Sequence, residues 1–391
     1  MNPALPKGRS AGRAMLMSVA LKTLIYEWRR FAPAVVAVGF SGLLVLMQAA
    51  LILGIFSLSS VYVSKSEGDL WVGYPGVQSL DLGRPIPSRT ELFIRMDPRV
   101  TRVEPFLWGN GEWRTDRQGI VNVYIVGVET APNAMALADV LPESLRVLLV
   151  DPDTVLIDAA DVHKLGVTVG GLAEINHRRV RVVGLTTGLR GLGGVNVITS
   201  LSGARRLDPS AGPGGDVAYY IAQIAKPEDA AAAAADLNSV GGHRNFEALT
   251  AEQFAARTTR YWLTESGAGV AFIFGSVVAL LVAVVITSQT LAAAVAASIK
   301  EYAALRALGF SMRALRTIVL AQSFWVGAGG VAAAGVLTVF LVLGARALAA
   351  PIVLSPEMVA MAGILILLVA MGSGFVALRR VANADPAVLL L

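Results

Sequence analysis

The chain has 391 residues, 55% of them hydrophobic and only 16% charged, with a formal net charge of +5 and a mean hydropathy of +0.62. Soluble domains carry about 25% charged residues, so this composition excludes an ordinary soluble protein and requires a large membrane part. There is no cysteine, which removes disulfide frameworks and thiolate metal sites and leaves the redox compartment unread.

Residues 1–30 form a basic segment, with Lys7, Arg9, Arg13, Lys22, Arg29 and Arg30 against Glu27 alone. Within it Leu21, Leu24, Ile25 and Trp28 fall at i, i+3, i+4 and i+7. That spacing predicts an amphipathic helix lying at the membrane interface; a basic flank without fixed structure is the alternative. Residues 31–64 then contain no charge. The run is far longer than the about 7–15 residues of a signal-peptide core and exceeds the about 20 needed to cross a bilayer. It is predicted to be the first of four transmembrane helices.

Residues 65–265 read as a folded domain of mixed α/β class. Alternating apolar positions in IVNVYIVGVE (120–129) predict a half-buried strand. TVLID, AEINHRRVRVVGLT and AYYIAQIA predict further strands, punctuated by glycine and proline. KPEDAAAAAADLNSV predicts a helix with Pro227 and two acids in its first turn. A short strand and another helix, about 251–264, follow, and that helix is expected to run on into the membrane. The domain holds 20 basic and 24 acidic residues, a net of −4, so the positive charge of the chain lies in its membrane flanks. A basic whole-chain balance therefore reports topology here, and nucleic acid is excluded as a partner.

Catalytic groupings are not evident. His163, His177 and His243 are scattered in turn or surface contexts, and no metal site is expected. Asp151-Pro152-Asp153 reads as a turn. The glycine-rich TTGLRGLGGVN (186–196) lacks the Lys-Ser/Thr of a phosphate loop and reads as a flexible or exposed loop. Nothing in the chain matches G-x-x-x-x-G-K-[ST], so ATP hydrolysis by that route is not expected of it, and the chain is not read as an enzyme.

Three more uncharged stretches, 266–299, 317–345 and 358–378, complete four predicted spans. The 346–357 loop carries one Arg346 and one Glu357. The 300–316 loop carries Lys300, Arg306, Arg313 and Arg316 against Glu301, and the tail 379–391 carries Arg379 and Arg380 against Asp385. By the positive-inside rule both termini and the 300–316 loop face the cytoplasm, and 65–265 and 346–357 face outward. The expected fold is thus an α-helical membrane protein with four transmembrane helices and a mixed α/β extracytoplasmic domain inserted between helices 1 and 2. The small residues of GAGGVAAAG (327–335) fit either tight helix packing or a bland low-volume span. Gln48 and Gln289 fit interhelical hydrogen bonds or a substrate path.

The stretch SIKEYAALRALGFSMRALRTI (298–318) sets five charges and a Gly-Phe-Ser break between two uncharged runs. It predicts a short helix, a stop at Gly309 and a second helix that becomes the third span. The result is an elbow that could seat in a groove of a cytosolic protein; a plain basic loop is the alternative.

One span, a large outer domain and three further spans, together with Glu301, the run Leu305-Arg306-Ala307-Leu308-Gly309 and then Ser311, resemble the MacB/FtsX superfamily of ABC transporter permeases. Arg379-Arg380 and Asp385-Pro386-Ala387-Val388-Leu389-Leu390 resemble that family's tail. DLWVGYPG, and VLID with EINHRRVRVVGLTTG and GGVNVITS, are similar to the adaptor-linked DevC-type permeases. The resemblance implies that Glu301, Leu305, Arg306, Ala307, Leu308, Gly309 and Ser311 form a coupling helix docked on a separate ATPase subunit, present in two copies. No cofactor is expected in this chain, with ATP and Mg on that subunit. It further implies a homodimer in the bacterial inner membrane, a periplasmic adaptor, an outer-membrane channel, and export of a lipid, lipopeptide or other amphipathic substrate. The alternative is a non-transporting mechanotransmitter that regulates a cell-wall hydrolase or signalling partner.

Overall fold

The computed structural model describes residues 22, 26–115, 118–191, 194–241, 245–347 and 354–382. In chain order the principal elements are helix α1 (Trp28–Ser57), strands β1 (Leu70–Gly73), β2 (Val100–Thr115), β3 (Gln118–Val128), β4 (Thr154–Asp158), β5 (Leu172–Ile175), β6 (Arg178–Thr186) and β7 (Val195–Ser200), helix α2 (Leu201–Leu207), strand β8 (Tyr219–Ile224), helix α3 (Ala230–Gly241), strand β9 (Glu247–Thr250), and helices α4 (Ala251–Thr264), α5 (Gly267–Ala297), α6 (Ile299–Ala307), α7 (Met312–Ala347) and α8 (Pro356–Ala382). Contacts divide the chain into two units, Met1–Gly54 with Ala271–Leu391, and Ile55–Val270.

The strand-bearing unit is organised by β2. Its first half, Val100 to Phe106, pairs with β8, and its second half, from Leu107, pairs with β3. Pro105 falls in the half with a single strand neighbour, the edge-like setting that a residue without an N–H requires. Six strands in the order β3-β7-β4-β6-β5-β2 close on themselves through the β2–β3 pairing, and β8, β1 and β9 extend from β2 as an antiparallel sheet. Both sheet faces are buried. Leu70 and Val72 join one core while Trp71 joins the other, and Tyr220 and Ala222 alternate with Tyr219 and Ile221 in the same way. This is the period-2 pattern of a strand with no wet face. It explains why β4 is apolar at Val155, Leu156 and Ile157 in succession, all fully buried. β3 is also more buried than a half-buried strand, with Val123 and Ile125 in one core and Val126 and Val128 in the other.

Two expectations are corrected here. The 186–196 stretch is exposed at Thr187 and Gly188, but beyond them its described part is not a free loop. Leu189 is fully buried, its N–H donates to Asp158 Oδ2 at 2.9 Å, and its carbonyl accepts from Asn196 Nδ2 at 2.6 Å. Asn196 in turn accepts from the Tyr62 hydroxyl. Glycine frequency signalled a sharp path, whereas burial and hydrogen bonding hold that path in place. The helix that begins at Ala251 also does not run unbroken into the next. A capping box, Thr250 with Gln253, starts α4, and it ends at Thr264. Ser266 Oγ then accepts the Gly269 N–H at 3.0 Å, which makes Ser266 the cap of a new helix.

Two buried charged side chains, each bonded to backbone groups, stiffen the 129–146 lobe. Glu104 accepts the N–H groups of Met135 and Ala136. Arg146, also buried, donates to the carbonyls of Leu141, Glu129 and Ala136. Burial raises the Glu104 carboxyl above its ordinary pKa.

The other unit is helical. Four helical stretches, Trp28–Ser64, Gly267–Ala297, Met312–Ala345 and Pro356–Val376, are long and apolar enough to cross a membrane. Phe31, Ala34, Val38, Leu291, Ala294, Val326 and Ile366 form one shared core of α1, α5, α7 and α8. The 327–335 stretch supplies close approach. A side chain at Gly330 would come within 2.7 Å of Val38 Cβ, and one at Gly327 within 3.0 Å of Ala370 Cβ. Gln48 Nε2 donates to the Phe272 carbonyl at 3.3 Å, an interhelical bond. Gln289 is exposed on α5.

Candidate functional site at the interhelical elbow

Between α5 and α7 the chain turns twice within about fourteen residues, and each turn has a local cause. At the first, α5 ends at Ala297. Ser298 is buried, and its carbonyl accepts the Tyr302 N–H at 3.1 Å, so α6 starts directly. At the second, Leu308 caps α6 and Gly309 adopts φ +89°. The Phe310 N–H reaches the Leu305 carbonyl at 3.1 Å and the Gly309 N–H reaches that of Arg306 at 2.9 Å. These two bonds define a Schellman motif, which satisfies the last carbonyls of a helix and needs a left-handed residue after its cap. Ser311 Oγ then accepts the Ala314 N–H at 3.3 Å, capping the start of α7.

The inner face of the elbow is packed. Val295, Tyr302, Leu315, Ile318 and Val319 form a buried cluster, with Leu305 and Met312 against it. The Tyr302 hydroxyl donates to Gln322 Oε1 at 2.7 Å, both groups being buried. Burial pushes the Tyr302 phenol up to about 12, so it stays a neutral donor at physiological pH.

A charged tie fastens the elbow to the first helix. Arg30 Nη1 lies 2.6 Å from Glu301 Oε1 and 2.7 Å from Glu27 Oε2, with Ser298 Oγ at 3.4 Å. Side chains from α1 and α6, 271 residues apart in sequence, thus share one guanidinium.

The outer face is bare. Leu308 is 77% and Phe310 43% exposed, and Lys300, Arg306, Arg313 and Arg316 on the same elbow are exposed as well. The arrangement is an exposed apolar tip on a hydrogen-bonded turn, in an elbow that also bears four exposed cations.

Of the residues singled out in the sequence, Glu301, Leu305, Arg306, Ala307, Leu308, Gly309 and Ser311 all lie in this elbow, with distinct surroundings. Glu301 is engaged by Arg30. Leu305 faces the chain's own core, so the exposed apolar pair is Leu308 with Phe310 and not Leu305 with Leu308. Arg306 lies 3.2 Å from Met312 Sδ. Ala307 ends α6. Gly309 and Ser311 shape the turn. Leu21, Leu24 and Ile25 fall outside the described residues. Trp28 opens α1, exposed, with the Arg29 guanidinium 5.7 Å from its ring centre. His243 and the 385–390 tail pattern also fall outside them. Arg30, Tyr302, Phe310 and Gln322 were not anticipated. Arg30 was visible only as a topology charge, and the Tyr302–Gln322 pair leaves no mark at a spacing of twenty residues.

Residues 273–386 match the FtsX-like permease C-terminal family, a segment that contains the whole elbow. Among solved structures, the periplasmic region of MacB from Actinobacillus actinomycetemcomitans is 12% identical with a TM-score of 0.33, covering 49% of this chain and 92% of that one. The extracellular domain of the noncanonic ABC-type transporter YknZ from Gram-positive bacteria is 11% identical with a TM-score of 0.34, covering 47% of this chain and 100% of that one. No curated protein sequence matches the chain. The family match supports an FtsX-like permease segment over residues 273–386. With four long apolar helices, it supports a multi-pass membrane protein.

Proposed function

We propose that this chain is the permease subunit of an adaptor-linked ABC exporter of DevC type, and that its elbow is the docking element for a separate ATPase. The observation that carries the reading is the bare Leu308–Phe310 tip on a Schellman turn. Exposed apolar groups held at fixed geometry, on an elbow that also bears the exposed Lys300, Arg306, Arg313 and Arg316, suit an apolar groove with an acidic rim. Interfaces concentrate binding in a few buried apolar anchors, with charges at the rim governing encounter. The Arg30–Glu301 tie gives a route by which movement of the docked elbow reaches α1, and the α6–α7 packing gives one into α7.

The remainder of the proposal follows from that role. The elbow and both termini lie in the cytoplasm of a bacterium, and the permease sits in the inner membrane. Two copies pair, because Gln289 is exposed on an apolar helix where an unpartnered amide is costly. Two ATPase subunits bind the dimer and carry ATP and Mg. An adaptor and an outer-membrane channel complete an assembly that exports a lipid, lipopeptide or other amphipathic molecule.

The test is affinity purification of the full chain from native membranes in mild detergent. An ABC ATPase should co-purify with it, and Leu308→Asp with Phe310→Asp should abolish that association while leaving expression and thermal stability unchanged. Retention of the ATPase by the double variant at the wild-type level would overturn the docking assignment. Impermeant thiol labelling of intact cells should mark Ser210→Cys and spare Ser311→Cys; the reverse pattern would invert the topology.

A further inference from the structure

Among the described residues four that are not glycine have positive φ: Leu137, Asn176, His177 and Asn245. Asparagine and histidine visit this region several-fold more often than other side chains, whereas a bulky residue there is an outlier. Leu137 sits at φ +56° and is fully buried. Left-handed backbone disfavours an L-residue by about 5- to 30-fold, so the surroundings must hold this one in place.

The Leu137 carbonyl accepts the N–H groups of Val140 at 3.1 Å and Leu141 at 2.9 Å. Its own N–H donates to Ser66 Oγ at 2.9 Å, and that hydroxyl donates in turn to the Tyr62 carbonyl at 2.7 Å. The Glu67 N–H donates to the Met135 carbonyl at 3.0 Å, and the Asp139 N–H to that of Lys65 at 3.2 Å. Lys65 Nζ lies 3.6 Å from Asp139 Oδ2. The 134–141 turn therefore grips residues 62–67, where the helical stretch Trp28–Ser64 ends.

The same turn is also held by Glu104 of β2 and by Arg146. Glu104 accepts the Met135 and Ala136 N–H groups, and Arg146 donates to the Ala136 and Leu141 carbonyls. Both charged side chains are buried, and parting a buried charge from its partners costs far more than parting an exposed one. Lys65 and Asp139 are 39% and 54% exposed, so water replaces their contact at little cost. The two sides of the grip are therefore unequal, and the 62–67 side yields first.

We propose that the 134–141 turn is a strained clasp on the end of the first helical stretch. It is closed in this structure. Displacement of residues 61–67 opens it on that side, while Glu104 and Arg146 keep the other side fixed. Opening frees Leu137 from its left-handed backbone, which offsets part of the cost of parting apolar neighbours. Val61, Val63, Met135, Leu137 and Leu141 share one buried cluster, so the open form presents apolar surface that the closed form hides. Movement of the helical stretch is thereby converted into a change at the surface of the strand-bearing unit. The inference does not rest on the ATPase-docking reading, because it uses only contacts inside the strand-bearing unit.

Hydrogen exchange of the full chain in phospholipid nanodiscs, resolved to single amides by mass spectrometry, tests the clasp. In Ser66→Ala the Leu137 N–H loses its acceptor outright, so coupling is read at Glu67 and Asp139, whose acceptors remain. Their protection should fall together by about 2- to 10-fold, the worth of one hydrogen bond, while the Met135 and Ala136 amides stay at the wild-type level. No change at Glu67 and Asp139, or an equal fall at Met135 and Ala136, overturns the proposal. The strain is tested by a sign. Leu137→Ala and Leu137→Gly both remove the apolar side chain, and in ordinary backbone glycine is the weaker of the two. Here Leu137→Gly should leave Glu67 and Asp139 about threefold or more better protected than Leu137→Ala does; the opposite order refutes the strain. A lock that leaves Leu137 intact is independent of both variants. The chain has no cysteine, so Lys65→Cys with Asp139→Cys can form one disulfide, checked by intact mass. Oxidation should raise the protection of the Glu67 and Leu137 amides, and added reductant should return it to the starting level. Failure of the pair to oxidise, or protection indifferent to the disulfide, overturns the clasp whatever the Leu137 variants do.

Discussion

Replacing Gly309 isolates the elbow's geometry from its contacts. The residue sits at φ +89°, and a Cβ placed there meets nothing within 4 Å. A substitution therefore adds no clash, and its whole cost is conformational. Left-handed backbone costs an L-residue with a Cβ about 1–2 kcal/mol, which corresponds to about a 5- to 30-fold change in the closed-to-open ratio of the turn. The hydrogen bonds that report this ratio are known: Leu308 N–H to Ala304 at 3.0 Å, Gly309 N–H to Arg306 at 2.9 Å and Phe310 N–H to Leu305 at 3.1 Å. Native-state hydrogen exchange of the full chain in nanodiscs, corrected for intrinsic rates, reads them directly. Protection should fall in the order Gly, Asn, Ala, Val, because Asn tolerates this region and β-branched residues do not. ATPase coupling should loosen in the same order. If Gly309→Ala leaves protection unchanged, or Gly309→Asn lowers it more than Gly309→Val, the turn is not held by backbone conformation and the rigid-tip argument fails.

Other expectations follow from packing and charge. Leu305→Ala should cost about 1–2 kcal/mol of thermal stability, roughly half the value for a fully buried leucine, whereas Leu308→Ala should stay within about 0.5 kcal/mol; equal losses would show that both face the same environment. Gly330→Val should destabilise the helical unit by about 1–3 kcal/mol through overpacking against Val38, while Gly335→Val, with open space around it, should not, and thermal unfolding in detergent separates the two. Glu104 has a folded-state pKa raised by burial. Its contribution is therefore fully present below the unfolded pKa and is lost as pH rises through the folded one. The stability of the wild type relative to Glu104→Gln should accordingly decline as pH rises above the ordinary carboxylate range, and a difference that grows there would contradict the assignment.

Sequence alone was sufficient wherever a local rule had no rival. Uncharged runs longer than a bilayer read as helices, because a helix satisfies its backbone groups in lipid within a single segment. The order β8, α3, β9, α4 was legible because each element carries its own periodicity and caps. Gly309 and Ser311 were readable as turn residues for the same reason, since their roles depend on neighbours within five positions. Tertiary structure decided what depends on distant partners. β2 was not foreseen, because a 16-residue strand that changes neighbours midway has no single period. β7 is buried at all six positions yet carries Asn196, Thr199 and Ser200, so neither an alternating pattern nor an apolar run marks it. Leu305 and Leu308 are indistinguishable by type, and only the packing of α6 against α7 turns one inward and leaves the other bare. Arg30 and Glu301 each looked like flank charges, and their 2.6 Å contact exists because the bundle brings the start of α1 beside the start of α6.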